Sequence, residues 1–203
     1  MVKYWQMLVV LCQKWAKLAN NERYIRGVSK MTSVDKPLEG GCTCGHVRYR
    51  LTTKPLIVHC CHCSLCQNQT GSAFVINALY DTKEVELLSG DVNEEMVPSP
   101  SGKGQRIGRC PKCHVAVWSH YFMGGIRDYV RFIRVGTTDD PSRLPPDVHI
   151  FTETTLPWVN LSNEKQVEDI FYDYESTWSK ENNARRLTMF KKAGLEVPQY
   201  RKK

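Results

Sequence analysis

No stretch of this 203-residue chain approaches the ~20 consecutive apolar residues that a membrane-spanning helix needs. It has no low-complexity tract, no internal repeat beyond its cysteine pairs, and no secretory signal with a small-residue cleavage site. Acidic residues are almost missing from residues 1–30, where Lys3, Lys14, Lys17, Arg23, Arg26 and Lys30 face only Glu22. That segment carries +5 of the formal charge of +7, which leaves the remainder close to neutral at about +2. A near-neutral body offers no electrostatic case for nucleic acid as a partner, and no membrane partner is expected. With 41% hydrophobic and 24% charged residues, the chain can bury a core of ordinary size, most simply one domain with appendages.

Cysteine is abundant, at nine residues. A disulfide framework calls for an even number and an oxidising compartment. The spacing favours chelation instead. Cys42-Thr-Cys44 is a C-x-C, Cys61-His-Cys63-Ser-Leu-Cys66 a C-x-C-x-x-C, and Cys110-Pro-Lys-Cys113 a C-x-x-C. Two pairs together close a four-thiolate site, so Cys42, Cys44, Cys110 and Cys113 are the candidate structural zinc ligands. Such a zinc would staple two distant parts of the chain and add folding free energy. The trio Cys61, Cys63 and Cys66 leaves a fourth position open, the mark of a reactive zinc. A zinc-bound thiol is deprotonated, which suits this site to thiol chemistry rather than hydrolysis. Cys60 is an alternative to Cys61, because Cys60-x-x-Cys63 is also a chelate spacing. His59 and His62 are candidate fourth ligands, with His46, His114, His120 and His149 ranked lower and Cys12 unrelated. Gly71 and Ser72 suit a tight turn beside the metal, and Lys103, Arg106 and Arg109 are candidates to receive the carboxylates of an anionic tripeptide.

The expected fold is mainly β: small antiparallel sheets around two zinc sites, with a helical C-terminal extension. Strands are expected at His46–Leu51, Leu56–Val58, Ala73–Leu79, Val85–Leu88, Val115–Trp118, Val130–Val135 and Val148–Phe151. A Pro/Ser/Gly loop spans Pro98 to Gly104, and Gln166 to Leu187 reads as helix. Residues 1–34 are taken as a basic extension, 35–160 as the zinc-binding β core and 161–203 as the helical extension. Tyr4–Ala19 has the amphipathic, basic character of a mitochondrial presequence, while Met31-Thr-Ser-Val-Asp35 is an equally good start. The expected compartment is the cytoplasm, or the mitochondrion if residues 1–30 act as a presequence.

Glu39-Gly-Gly-Cys-Thr-Cys-Gly-His-Val-Arg-Tyr49, the Cys61–Cys66 motif with Gly71-Ser-Ala-Phe74, and Cys110-Pro-Lys-Cys113 together resemble the glutathione-dependent formaldehyde-activating enzyme family, which includes the centromere protein V branch. The resemblance covers roughly residues 38–151. It implies a β-rich fold with two zinc ions, structural at Cys42, Cys44, Cys110 and Cys113 and catalytic at Cys61, Cys63 and Cys66, with Cys61 rather than Cys60 as ligand. It implies S-(hydroxymethyl)glutathione synthase activity, a carbon–sulfur lyase with glutathione and formaldehyde as partners. The chain departs from the family after the trio, where Gln67-Asn-Gln69 replaces an arginine and an aromatic residue, and in its C-terminal extension. Two functions stand: a zinc lyase joining an aldehyde to a thiol, or acting on a related specialised-metabolism substrate, and a non-catalytic zinc-binding interaction module working through the basic N-terminal segment.

Overall fold

Short strands build most of this protein's regular structure. The computed structural model describes residues 36–198, and the expectations for Cys12, Tyr4–Ala19 and Met31 lie outside them. Ten strands and three α-helices occur among the described residues. Strands β1 (Leu38–Gly41) and β2 (Arg48–Leu51) bury every second side chain and join β5 (Val85–Ser89) in a three-stranded antiparallel sheet.

The second sheet has seven strands. Its members are β3 (Ile57–Cys61), β4 (Val75–Asp81), β6 (Asn93–Val97), β7 (Gln105–Arg109), β8 (Ala116–Tyr121), β9 (Val130–Arg134) and β10 (Val148–Ile150). They run in the order β10-β3-β4-β9-β8-β7-β6. The fold is mainly β, as the sequence implies, with one pairing that alternation does not reveal. β10 lies parallel to β3, with His149 opposite Cys60, and every other strand pair is antiparallel. The hairpin of β6 and β7 flanks the expected Pro98–Gly104 loop.

Each face of the large sheet buries its own hydrophobic cluster. On one face, Val58, Ala78, Tyr80, Trp118 and Ile133 pack with Leu38, Tyr49, Leu51 and Val85 of the small sheet. On the other, Ile57, Cys61, Val75, Leu79, Val130 and Ile150 pack against Tyr172, Tyr174, Trp178, Met189 and Phe190 from the C-terminal region. Alternation decides membership: Ile57 and Cys61 go one way and Val58 the other.

The C-terminal region contains helices α2 (Tyr174–Thr177) and α3 (Lys180–Ala193), capped by Asp173 and Ser179, whose side chains accept from the amides of Ser176 and Asn182. The helix expected from Gln166 starts later. Gln166–Ile170 runs instead along the free edge of β10, through His149 N to Gln166 O (2.9 Å), Glu168 N to His149 O (2.9 Å) and Phe151 N to Ile170 O (2.8 Å). An uncovered edge strand has unpaired amides and carbonyls, and satisfying them outweighs local helix propensity. None of the helices described is long and apolar enough to cross a membrane.

Candidate functional site

The two cysteine pairs form matching knuckles. In the first, Cys42 N donates to Val47 O (3.0 Å), Val47 N donates to Cys42 Sγ (3.3 Å), and Gly45 turns the chain at φ 77°. In the second, Cys110 N donates to Val115 O (3.0 Å), Lys112 N donates to Cys110 Sγ (3.4 Å), and His114 turns at φ 60°. Glycine takes the left-handed turn freely, whereas His114 does so at a steric cost.

One knuckle follows β1 and the other precedes β8, so their meeting ties the small sheet to the large one. Cys42, Cys44, Cys110 and Cys113 come within 4.8 Å of one another at sulfur. The Sγ–Sγ distance is 3.4 Å for Cys42–Cys44 and 3.7 Å for Cys44–Cys110. Four sulfurs at ~2.3 Å from a tetrahedral zinc would lie about 3.8 Å apart, so the donors fit such an ion. Val115 N–H, with the backbone at Cys44, holds the Cys113 thiol down to about 6. All eight described cysteines are free.

The trio uses a strand end and a helix start. Cys61 ends β3, Cys63 is the N-cap of helix α1 (Ser64–Thr70), and Cys66 lies in its first turn. This helix is absent from the sequence expectations. Gly71 closes it at φ 65°, in a left-handed cap. Cys61, Cys63 and Cys66 form the second cluster, with sulfurs within 4.8 Å of one another. Hydrogen bonds from the Cys61 and Cys66 thiols, and from the amides of Cys66 and Leu65, hold the Cys63 thiol far below its ordinary range despite its burial. The same contacts with Cys63 and Cys66 push Cys61 up. Three convergent sulfurs with one thiolate already favoured are a donor set that fits a soft or borderline metal ion.

Beneath them lies Arg134, which sequence reasoning missed. It is buried, donates to Asn77 Oδ1 (2.6 Å), and lies close enough to Cys66 and Cys61 to interact with both sulfurs. Burial lowers its pKa, and electrostatic interaction with the sulfurs of Cys66 and Cys61 opposes that shift. Its only sequence signal was a charge at the end of a strongly apolar strand.

Cys61, Cys63 and Cys66 all line a cavity of about 510 Å³, within the range of small-molecule sites. Its aromatic walls are Tyr121, Phe122, Phe132, Phe151, Phe171 and Tyr174. Two wall residues, Met123 and Phe151, adopt left-handed backbone at φ 43° and 55°. Phe171 and Tyr174 belong to the C-terminal region, which therefore helps build the site. The charged residues lining the cavity are Glu153 and Asp169. Lys103, Arg106 and Arg109 do not line it: Lys103 lies over the Phe122 ring, Arg106 pairs with Glu94 and Asp128, and Arg109 donates to His114 O.

Neither candidate fourth ligand joins the trio. His59 lines the cavity but meets the Tyr172 hydroxyl through Nε2 (2.5 Å), and burial drives its pKa down to about 3. His62 turns to the opposite face of β3 with Cys60, and both meet His149 there. Among the lower-ranked histidines, His46 bonds Asp91, and His120 meets the carbonyl of Val130. Gln67, at the departure from the family pattern, ties α1 down by donating to His62 O (2.7 Å) and Thr154 O (2.8 Å). Gln69 donates to Gln105, a cavity residue.

Fold and site together define a β protein with cysteine clusters able to hold metal, one of them opening onto an aromatic cavity. The family model described as "Glutathione-dependent formaldehyde-activating enzyme" matches residues 37–154, more than half of the chain. The protein belongs to that family. A Halomonas elongata protein named "Putative glutathione-dependent formaldehyde-activating enzyme" is 26% identical over 134 residues, spanning 64% of this chain and 83% of its own. A Rhodobacter sphaeroides crystal structure aligns with TM-score 0.36 and 14% identity, covering 64% of this chain and 97% of its own.

Proposed function

We propose that this protein is a carbon–sulfur lyase that joins an aldehyde to a thiol or reverses that step, with formaldehyde and glutathione as the default pair. The placement of all three trio cysteines on the wall of one ligand-sized cavity carries this reading. In the forward direction the thiol sulfur bonds to the carbonyl carbon, the C=O π bond breaks, and the thiol proton ends on the new hydroxyl. Zinc held by Cys61, Cys63 and Cys66 would supply a site that keeps a substrate thiol ionised and polarises a carbonyl. A second zinc at Cys42, Cys44, Cys110 and Cys113 would be structural.

The chain's own groups do the rest. Arg134 offsets the charge of the trio, the aromatic walls exclude water, and Asn77 and Gln105 offer polar contacts. His59 is kept neutral and engaged with Tyr172, so it acts as a fixed wall rather than a proton carrier.

The cavity lining also favours a second reading within the same chemistry. Glutathione carries two carboxylates, yet the charged side chains around the cavity are carboxylates. A bulkier, apolar aldehyde or thiol fits these walls better. The test is catalysed exchange between aldehyde, thiol and adduct at equilibrium, measured for wild type and Cys63→Ser with glutathione and with an uncharged aryl thiol. An exchange rate unchanged in Cys63→Ser refutes the lyase. A higher kcat/KM for the aryl thiol selects the bulkier substrate class, and a higher value for glutathione selects the default pair.

A further inference from the structure

Cys60, His62 and His149 converge on the face of β3 opposite the cavity. Their donor atoms lie within 4.8 Å of one another, and the residues are 1%, 0% and 7% exposed. Cys60 Sγ is 3.5 Å from His62 Nε2, which is 2.9 Å from His149 Nδ1. We propose that these three residues form a further metal site, binding a zinc-class divalent ion through one thiolate and two imidazoles.

Hydrogen bonding alone does not account for this cluster. His149 Nε2 lies 3.2 Å from Glu164 Oε2, and both it and His62 Nδ1 are buried without a hydrogen-bond partner. With the His149 proton on Nε2, toward Glu164, His62 Nε2 donates to His149 Nδ1 and the buried Cys60 thiol is left without an acceptor. If His62 Nε2 accepts from Cys60 instead, two imidazole lone pairs face each other at 2.9 Å. A cation resolves the conflict, because all three atoms then direct lone pairs at it. The spacing suits one: bonds of ~2.3 Å to sulfur and ~2.0–2.1 Å to nitrogen put tetrahedral S and N about 3.5 Å apart and two N about 3.3 Å apart. The Cys60–His62 separation already matches, and the two nitrogens need to separate by a few tenths of an ångström.

The surroundings hold the donors in place. His149 sits opposite Cys60 in the β3–β10 ladder and is bonded through its amide and carbonyl to Gln166 and Glu168. The His62 amide donates to Ile150 O, and its carbonyl accepts from Gln67 and Thr154. Glu164 Oε2, 3.2 Å from the outer nitrogen of His149, is near enough to become the carboxylate partner that orients a metal-bound imidazole. One thiolate and two neutral imidazoles leave a divalent ion with net +1, against −1 at the trio and −2 at the four-cysteine cluster, so the three sites are chemically distinguishable.

The test uses the full chain, stripped of metal and reconstituted anaerobically with excess zinc, then desalted and assayed for zinc per chain. We expect three in wild type and two in His149→Gln and in Cys60→Ser, with the far-ultraviolet dichroism of wild type. No loss of one zinc per chain, relative to wild type, in either variant overturns the site. Should the variants fail to fold, cadmium-113 resonances of the reconstituted wild type decide. A third signal upfield of the all-thiolate ones supports the site, and its absence refutes it. These readouts are independent of activity, so the site stands or falls apart from the lyase.

Discussion

Arg134 shows how a single residue can serve a site it does not ligate. It is buried, its partner Asn77 is neutral, and the sulfurs of Cys66 and Cys61 favour its charged form. Groups that support metal ligands from behind commonly account for 10–100-fold in metal affinity. We expect Arg134→Met to release metal from the trio to a chelator about 10-fold faster, measured with a chromophoric zinc indicator, while the four-cysteine cluster keeps its ion. Glu94 supports a different prediction. Its hydrogen bond with His120, the Trp118 indole N–H and nearby Arg106 hold its carboxyl down to about 2, against burial. A lowered carboxylate pKa contributes stability above the unfolded value of 4.5 and loses it as pH falls toward the folded value. The melting-temperature gap between wild type and Glu94→Gln should therefore be constant above about pH 5 and shrink as pH falls below about 4.5.

At the scale of elements, the C-terminal helices are part of the core and of the cavity wall. Phe190 is 2% exposed, Arg186 stacks on Tyr174, and Tyr174 lines the cavity. Phe190→Ala should cost about 3–5 kcal/mol of stability, read from chemical denaturation. The strands were legible as short apolar runs such as Val130–Val135, and in His46–Leu51 as a half-buried sequence that alternates. The short helix after Cys63 was not: seven residues hold too few turns for a periodic signal, and a cysteine side chain caps it. Gln166–Ile170 misled for the opposite reason, since its polar composition suits a helix but the open edge of β10 claims its backbone.

For the whole molecule, the four-cysteine cluster joins two sheets that share a core, whereas the trio lies within one strand–helix corner. Breaking the two should have different consequences. Cys113→Ser should lower the melting temperature strongly and weaken its response to added zinc, because the link between sheets is lost. Cys63→Ser should leave melting nearly unchanged while abolishing any thiol-dependent exchange. Calorimetry with and without zinc separates the two.

The sequence by itself determined which cysteines pair with which. C-x-C and C-x-x-C spacings are local chelate geometry, and local geometry survives in the linear chain. It also determined the β class, through alternation. Between Cys60 and Cys61 the chelate spacing was neutral and the family resemblance favoured Cys61; the tertiary structure supplies the physical reason. A one-residue step along a strand reverses the face, so Cys61 joins Cys63 and Cys66 in the cavity while Cys60 turns to His62 and His149. The parallel pairing of β10 with β3 brings His149 there, across 89 residues of sequence from Cys60, and burial of Arg134 sets a cation behind the trio. These are long-range facts of packing, to which no local pattern in the chain corresponds.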